Sequence, residues 1–148
     1  MKLFFNFLFF IILVLSTSGF LFANELKGEY IIEVAKFNIG KLFWDIDLTN
    51  TDYKIFISLQ DRGILSSLYK FEGSYEAKGK IVNGVLIPSN YKQFWSTKKK
   101  KREIEIFFIN GFLSELRMLP KEKEEPRIEY IGIKGCLDPL SSFLNLAM

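Results

Sequence analysis

The stretch Leu42-Phe43-Trp44-Asp45-Ile46-Asp47-Leu48-Thr49, followed after Asn50-Thr51-Asp52 by Tyr53 to Asp61 (YKIFISLQD), decides the fold. Leu42, Trp44, Ile46 and Leu48 fall on one side of an extended chain, with Phe43, Asp45, Asp47 and Thr49 on the other. Tyr53, Ile55, Ile57 and Leu59 repeat the pattern opposite a polar set. Period two with one apolar face marks half-buried antiparallel strands, and Asn-Thr-Asp between them has turn composition.

The same rhythm extends both ways. Tyr30 to Asn38 reads as one strand with Tyr30, Ile32 and Val34 on a face and Gly40 closing it. Gly63 to Tyr69 breaks the alternation and suits one or two helical turns, before Phe71 to Lys80 becomes extended again. Asn83-Gly84 and Asn110-Gly111 are strong hairpin dipeptides. Between them lie strand-like Asn90 to Thr97 and Glu103 to Ile109, and Phe112 to Leu119 follows. Pro120 to Pro126 is a charged loop, and Arg127 to Ile133 reads as a short strand. Asp138-Pro139-Leu140 signals a helix start, Asp as N-cap and Pro in the first turn. Leu140, Phe143, Leu144 and Ala147 recur at helical spacing. The expected fold is therefore mainly β: an antiparallel curved sheet, or an open or partial β-barrel, of seven or eight short strands with one short C-terminal helix.

The first residues read as an address. Lys2 precedes an apolar run from Leu3 to Leu15, and Leu21-Phe22-Ala23 stands before Asn24-Glu25. A positive start, an apolar stretch of about 7–15 residues and a small residue at the end describe a secretory signal peptide. The expected organisation is a signal peptide over 1–23 and a single β-rich domain over 24–148, with periplasmic localisation. The rival reading is an uncleaved N-terminal membrane anchor. Removing that segment leaves about 125 residues, enough for one modest core.

Composition narrows the chemistry. The 148 residues include no His and one Cys. That excludes His bases, His-paired nucleophiles, His metal ligands and thiolate zinc sites. No glycine-rich phosphate loop or nucleophile elbow occurs. The expectation is no enzyme, no cofactor and no metal. Asp45 and Asp47 are the one carboxylate pair worth weighing for hydrolysis, and a solvated strand face explains them as well. A net charge of +3 is no nucleic-acid signature.

Two constellations remain. Phe43-Trp44, Phe94-Trp95 and Phe107-Phe108 are consecutive aromatics, so each pair must present one ring to each face of its strand. The outward rings need solvent, a second layer or an apolar partner. These six are the expected ligand-binding residues. Lys98, Lys99, Lys100, Lys101 and Arg102 form a basic run suited to anionic head groups. The plainer reading, and the favoured one, is a charged hairpin tip that protects a sheet edge. Cys136 is an odd thiol in a chain expected to be exported, which suggests a missing partner, intermolecular pairing or a buried thiol.

Taken in order, Tyr30 to Gly40 (YIIEVAKFNIG), the Gly63-Ile64-Leu65 break, Pro88 to Tyr91 (PSNY), the basic hairpin into Glu103 to Phe108, and Cys136 to Phe143 (CLDPLSSF) resemble the bacterial exported family called domain of unknown function 3108. The resemblance spans Glu29 to Leu146. It implies a periplasmic, β-rich protein with a large open barrel similar to lipoprotein-localisation factors, with no assigned activity or catalytic residues. Members continue past the D-P-L-S segment, so the resemblance implies a C-terminally shortened chain here. The resulting expectation is a non-enzymatic envelope protein holding an apolar or lipid-like ligand on an aromatic concave face, with only peripheral or transient membrane association. The alternatives are a scaffold that captures an envelope protein through a strand edge and, distantly, a carboxylate-dependent hydrolase.

Overall fold

Period-two patterning from Asn24 to Leu119 folds into seven strands: β1 Asn24–Val34, β2 Phe37–Leu48, β3 Asp52–Asp61, β4 Phe71–Val82, β5 Val85–Thr97, β6 Lys101–Ile109 and β7 Phe112–Leu119. The helix α1 spans Pro139–Ala147. The structure, a computed structural model, describes residues 24–63, 66, 70–122 and 129–147. The proposed signal peptide and most of the Gly63 to Tyr69 break lie outside the described residues. Each strand pairs antiparallel with the next in the order β1-β2-β3-β4-β5-β6-β7, and no pairing joins β1 to β7. The expected mainly-β fold is thus an open, curved sheet with a short helix, not a closed barrel.

Register sorts every side chain onto one of two faces. One carries Leu42, Trp44, Ile46 and Leu48 of β2 beside Leu59, Ile57, Ile55 and Tyr53 of β3. It continues through Tyr75 and Ala77 of β4, Tyr91 and Trp95 of β5, and Ile104 and Ile106 of β6. The opposite face carries Lys27, Asp45, Lys54, Glu76, Lys92, Glu105 and Arg117. We call them the apolar and the charged face.

Two expectations about connections need correction. Tyr30 to Asn38 is a hairpin rather than one strand: Ala35 and Lys36 turn the chain with φ of 50° and 70°. Two positive φ values are the pattern of the primed turn that matches strand twist, and Asn-Gly is the usual pair there. Ala-Lys carries no such signal, so the turn is imposed by the pairing on either side. Gly40 accordingly lies inside β2, buried, rather than ending a strand. The described part of the expected Arg127 to Ile133 strand, Glu129 to Ile133, is irregular and turn-forming. It lies along the start of β7, where Leu113 N–H donates to Ile133 O (3.0 Å) and Gly132 N–H to Leu113 O (2.8 Å). The turns at Asn83-Gly84 and Asn110-Gly111 form as expected, with φ of 52° and 77° in each.

α1 is fastened by one buried polar knot. Asp138 caps the helix, accepting the Leu140 and Ser141 amides on Oδ1 at 3.1 and 2.9 Å. Its Oδ2 accepts the Ser141 hydroxyl at 2.5 Å. With that proton committed, Ser141 Oγ accepts from the Tyr53 hydroxyl at 2.7 Å, across 88 residues of sequence. Tyr53 is 2% exposed and Ser141 0%. Around the knot Ile46, Tyr53, Ile55, Leu86 and Leu144 form the core, flanked by Trp44, Leu48, Ile57, Ile81 and Leu140. The expected helix face is shifted: Ser141 and Leu144 are buried, whereas Phe143 is 54% exposed and Ala147 faces solvent. The polar anchor at Ser141 sets the helix's rotation. β4 approaches closely here too; a Cβ on Gly79 would stand 2.3 Å from Ile87 O.

Two outcomes test this account. Asp138→Ala should lower stability by about 1–3 kcal/mol in urea unfolding, because it removes a cap and strands buried hydroxyls. Phe143→Ala should change it by less than about 0.5 kcal/mol.

Candidate functional site

The strand meander gives the sheet two ends. The β2–β3, β4–β5 and β6–β7 connections lie at the end that α1 covers, near Leu48, Leu86 and Phe108. The β1–β2, β3–β4 and β5–β6 connections lie at the other. Among the described residues α1 is the one α-helix, and it packs against β4 and β5. The apolar face toward the far end therefore carries half-buried side chains that no described helix covers: Leu42, Leu59, Phe71, Trp95 and Ile104. A groove of about 390 Å³ opens there, lined by Ile32, Ile39, Gly40, Leu59, Gln60, Asp61 and Phe71. Asp61 Oδ1 accepts the Phe71 amide at 3.0 Å, which holds one carboxylate oxygen at the groove's rim.

The six nominated aromatics divide between the faces. Trp44, Trp95 and Phe108 lie on the apolar face; Phe43, Phe94 and Phe107 lie on the charged face. They cannot form one site. Phe108 is 7% exposed and belongs to the covered end. Trp44 and Trp95, the chain's two tryptophans, remain. Trp44 packs edge-on to Tyr30, with ring centroids 6.0 Å apart. Its indole lies against Gly28, where a Cβ would sit 1.7 Å from Nε1. Among the described residues, Trp44 Nε1 and Arg102 Nε are buried donors without an acceptor, and both are on the apolar face.

The outward rings have a local explanation that residue type alone could not supply. Lys101 Nζ stands 5.1 Å from the Phe94 ring centre, and Arg117 Cζ 4.7 Å from that of Phe107. Phe43 packs against Phe56 at 6.3 Å. Cations and a second ring cover them, each contact modest at such exposure. The charged face is otherwise a lattice of cross-strand pairs. Lys92 meets Glu105 at 2.9 Å and Arg117 meets it at 3.8 Å. The Lys92 ammonium holds the Glu105 carboxyl below its ordinary value, and Glu105 in turn raises Lys92. Asp45 pairs with Lys27 at 3.6 Å. Asp45 and Asp47 share a cleft of about 390 Å³ with Glu25, Phe43, Lys54 and Phe56. Such pairs are solvated and contribute little stability each.

The basic run is also divided. Lys98, Lys99 and Lys100 form the β5–β6 turn, whose backbone is tied by Thr97 N–H to Lys100 O at 2.7 Å. Lys101 and Arg102 enter β6 on opposite faces. Arg102 crosses the apolar face to Met118 Sδ (3.7 Å) and pairs with Glu122. Cys136 is exposed, a free thiol near Val85 to Pro88, rather than buried. No protein-family model, curated protein or solved structure matches the chain.

Burial also acts on two phenols beside the knot. Desolvation, reinforced by the Asp138 charge, pushes Tyr53 and Tyr91 up to about 12, with the Ser141 hydrogen bond opposing this at Tyr53. Because the folded value is raised, their stabilisation is complete below about pH 10 and is lost as pH climbs toward about 12. Phenolate absorbance should show two late-titrating tyrosines, and Tyr53→Phe with Tyr91→Phe should flatten the alkaline fall in stability. Gly28→Ala should displace the Trp44 indole and alter the near-ultraviolet circular dichroism, while Gly84→Ala, in an open turn, should leave that signal unchanged.

Proposed function

We propose that this is a non-enzymatic, exported envelope protein that holds an apolar or lipid-like ligand on the open end of its apolar face. The proposal includes export by residues 1–23 and kinship with the exported family that the sequence resembles. One observation carries it. The apolar face continues past the region that α1 covers, into a groove rimmed by Ile32, Leu59 and Phe71. Trp95 lies on the same face. An acyl chain laid there gains about 25 cal/mol per Å² of apolar surface removed from water. Trp44 and Trp95 take the ligand-binding role, and Phe43, Phe94, Phe107 and Phe108 do not. The β5–β6 turn lies at the same end of the sheet, where Lys98, Lys99 and Lys100 reach toward a head group.

The protein should be exported under its own leader, recovered without detergent and weighed intact by native mass spectrometry. A retained adduct of lipid mass, released on unfolding, supports the proposal, and the protein mass reports whether the leader is removed. Titration of adduct-free protein with a long-chain lysophospholipid should perturb tryptophan fluorescence. Trp95→Ala should weaken that binding about tenfold, the loss expected for one truncated aromatic contact. Phe43→Ala with Phe107→Ala should leave it unchanged. A folded protein with no adduct and no lysophospholipid response would overturn the reading. Pairing through the outer edge of β1 would then be the better account, since among the described residues β1 has a strand partner on one side only.

A further inference from the structure

The connections of the meander divide sharply by charge. At the end opposite α1 they contain Lys36 (β1–β2), Arg62 and Lys70 (β3–β4) and Lys98, Lys99 and Lys100 (β5–β6), with no acidic residue. At the α1 end, Thr49-Asn50-Thr51, Asn83-Gly84 and Asn110-Gly111 contain no charged residue at all. Because successive connections alternate ends, every cation carried by a strand-to-strand connection is gathered at one edge of the molecule. The carboxylates near this edge are Glu33, Asp61, Glu72, Glu103 and, just past the end of β7, Glu122; Asp61 is engaged with the Phe71 amide and Glu122 with Arg102, leaving the cations in excess. The same edge presents apolar tips: Val34 is 56% and Phe37 59% exposed, on either side of the Ala35-Lys36 turn.

We propose that this basic edge docks the protein on an anionic bilayer surface. Lys36, Arg62, Lys70 and Lys98–Lys100 would lie against lipid phosphates, and Val34 and Phe37 would enter the interface. Two independent features favour a membrane over a soluble anion. Cations come from three separate connections, a spread suited to a plane of charge rather than to one small ligand. Apolar side chains flank a lysine at the tip, the pairing that interfacial segments use, apolar groups entering and ammonium groups staying with the phosphates. The α1 end supplies an internal comparison. Val85 and Ile109 are also exposed there, on hairpins that carry no charge themselves and have beside them the single cation Lys134, over Phe112. Docking does not require a ligand on the apolar face, so it can hold or fail independently of that reading.

The test is flotation of the exported protein, recovered without detergent, with vesicles of phosphatidylcholine alone and of phosphatidylcholine mixed equally with phosphatidylglycerol. Binding is expected only to the anionic vesicles, with release as salt approaches 1 M and the screening length falls to about 3 Å. Lys98→Gln, Lys99→Gln and Lys100→Gln together should lower partitioning roughly a hundredfold, each cation near such a surface contributing about a factor of five. Val34→Ser with Phe37→Ser should lower it roughly tenfold. Val85→Ser with Ile109→Ser should leave it unchanged. All of these positions are in exposed turns or strand ends, and an unchanged circular dichroism spectrum confirms that each variant folds. Equal binding to both vesicle types, insensitivity to the lysine changes, or loss only with the Val85 and Ile109 changes would overturn the proposal. So would lysine-dependent retention on immobilised polyglutamate without vesicle binding, which would assign the edge to an acidic protein.

Discussion

The hydrogen-bonded series from Asp138 through Ser141 to Tyr53 is the constraint from which the rest of the molecule follows. A seven-stranded open sheet has an apolar face far larger than a nine-residue helix can cover. Where the helix sits therefore decides which part of that face is core and which remains available. Nonpolar contact alone would let α1 slide, because apolar packing is non-directional. A carboxylate that must satisfy two amides and a hydroxyl, and a hydroxyl that must satisfy a phenol, allow one position. Burial makes this strict, since an unmet polar group there costs more than the bond contributes.

The up-and-down topology makes the second division. Strands that alternate direction send alternate connections to opposite ends, so a property carried by every other turn becomes a property of one edge. Here that property is positive charge, from Lys36 through Lys98–Lys100. The same alternation within each strand separates Trp44 from Phe43 and Trp95 from Phe94. The apolar groove and the basic edge thus adjoin at the end that the helix leaves open. Both functional proposals draw on that adjacency and share Lys98–Lys100, but the first rests on the apolar groove and Trp95, the second on cations spread over three connections and on Val34 and Phe37.

Some of this was legible in the chain before folding. The alternation of Leu42 to Leu48 and Tyr53 to Leu59 is local and sets the strand phase directly. Asn83-Gly84 and Asn110-Gly111 carry their turn chemistry in the residues themselves, as does Asp138-Pro139 at the start of α1. The Ala35-Lys36 turn carried none, because its positive φ values are held by the flanking pairing of β1 with β2. Pairing the aromatic residues by adjacency foresaw that they would split, yet not that Lys101 and Arg117 would cover Phe94 and Phe107. Those cations are neighbours only through strand geometry and register.

The sequence by itself therefore determined a mainly antiparallel β chain with one capped helix, and its lack of histidine removed whole classes of chemistry. Period, turn residues and caps act over a few positions, so they can be read without partners. Tertiary structure alone decided which end of the apolar face is buried, which aromatics stay available and where the cations gather. Those outcomes depend on contacts such as Tyr53 with Ser141, 88 residues apart, which no local pattern encodes.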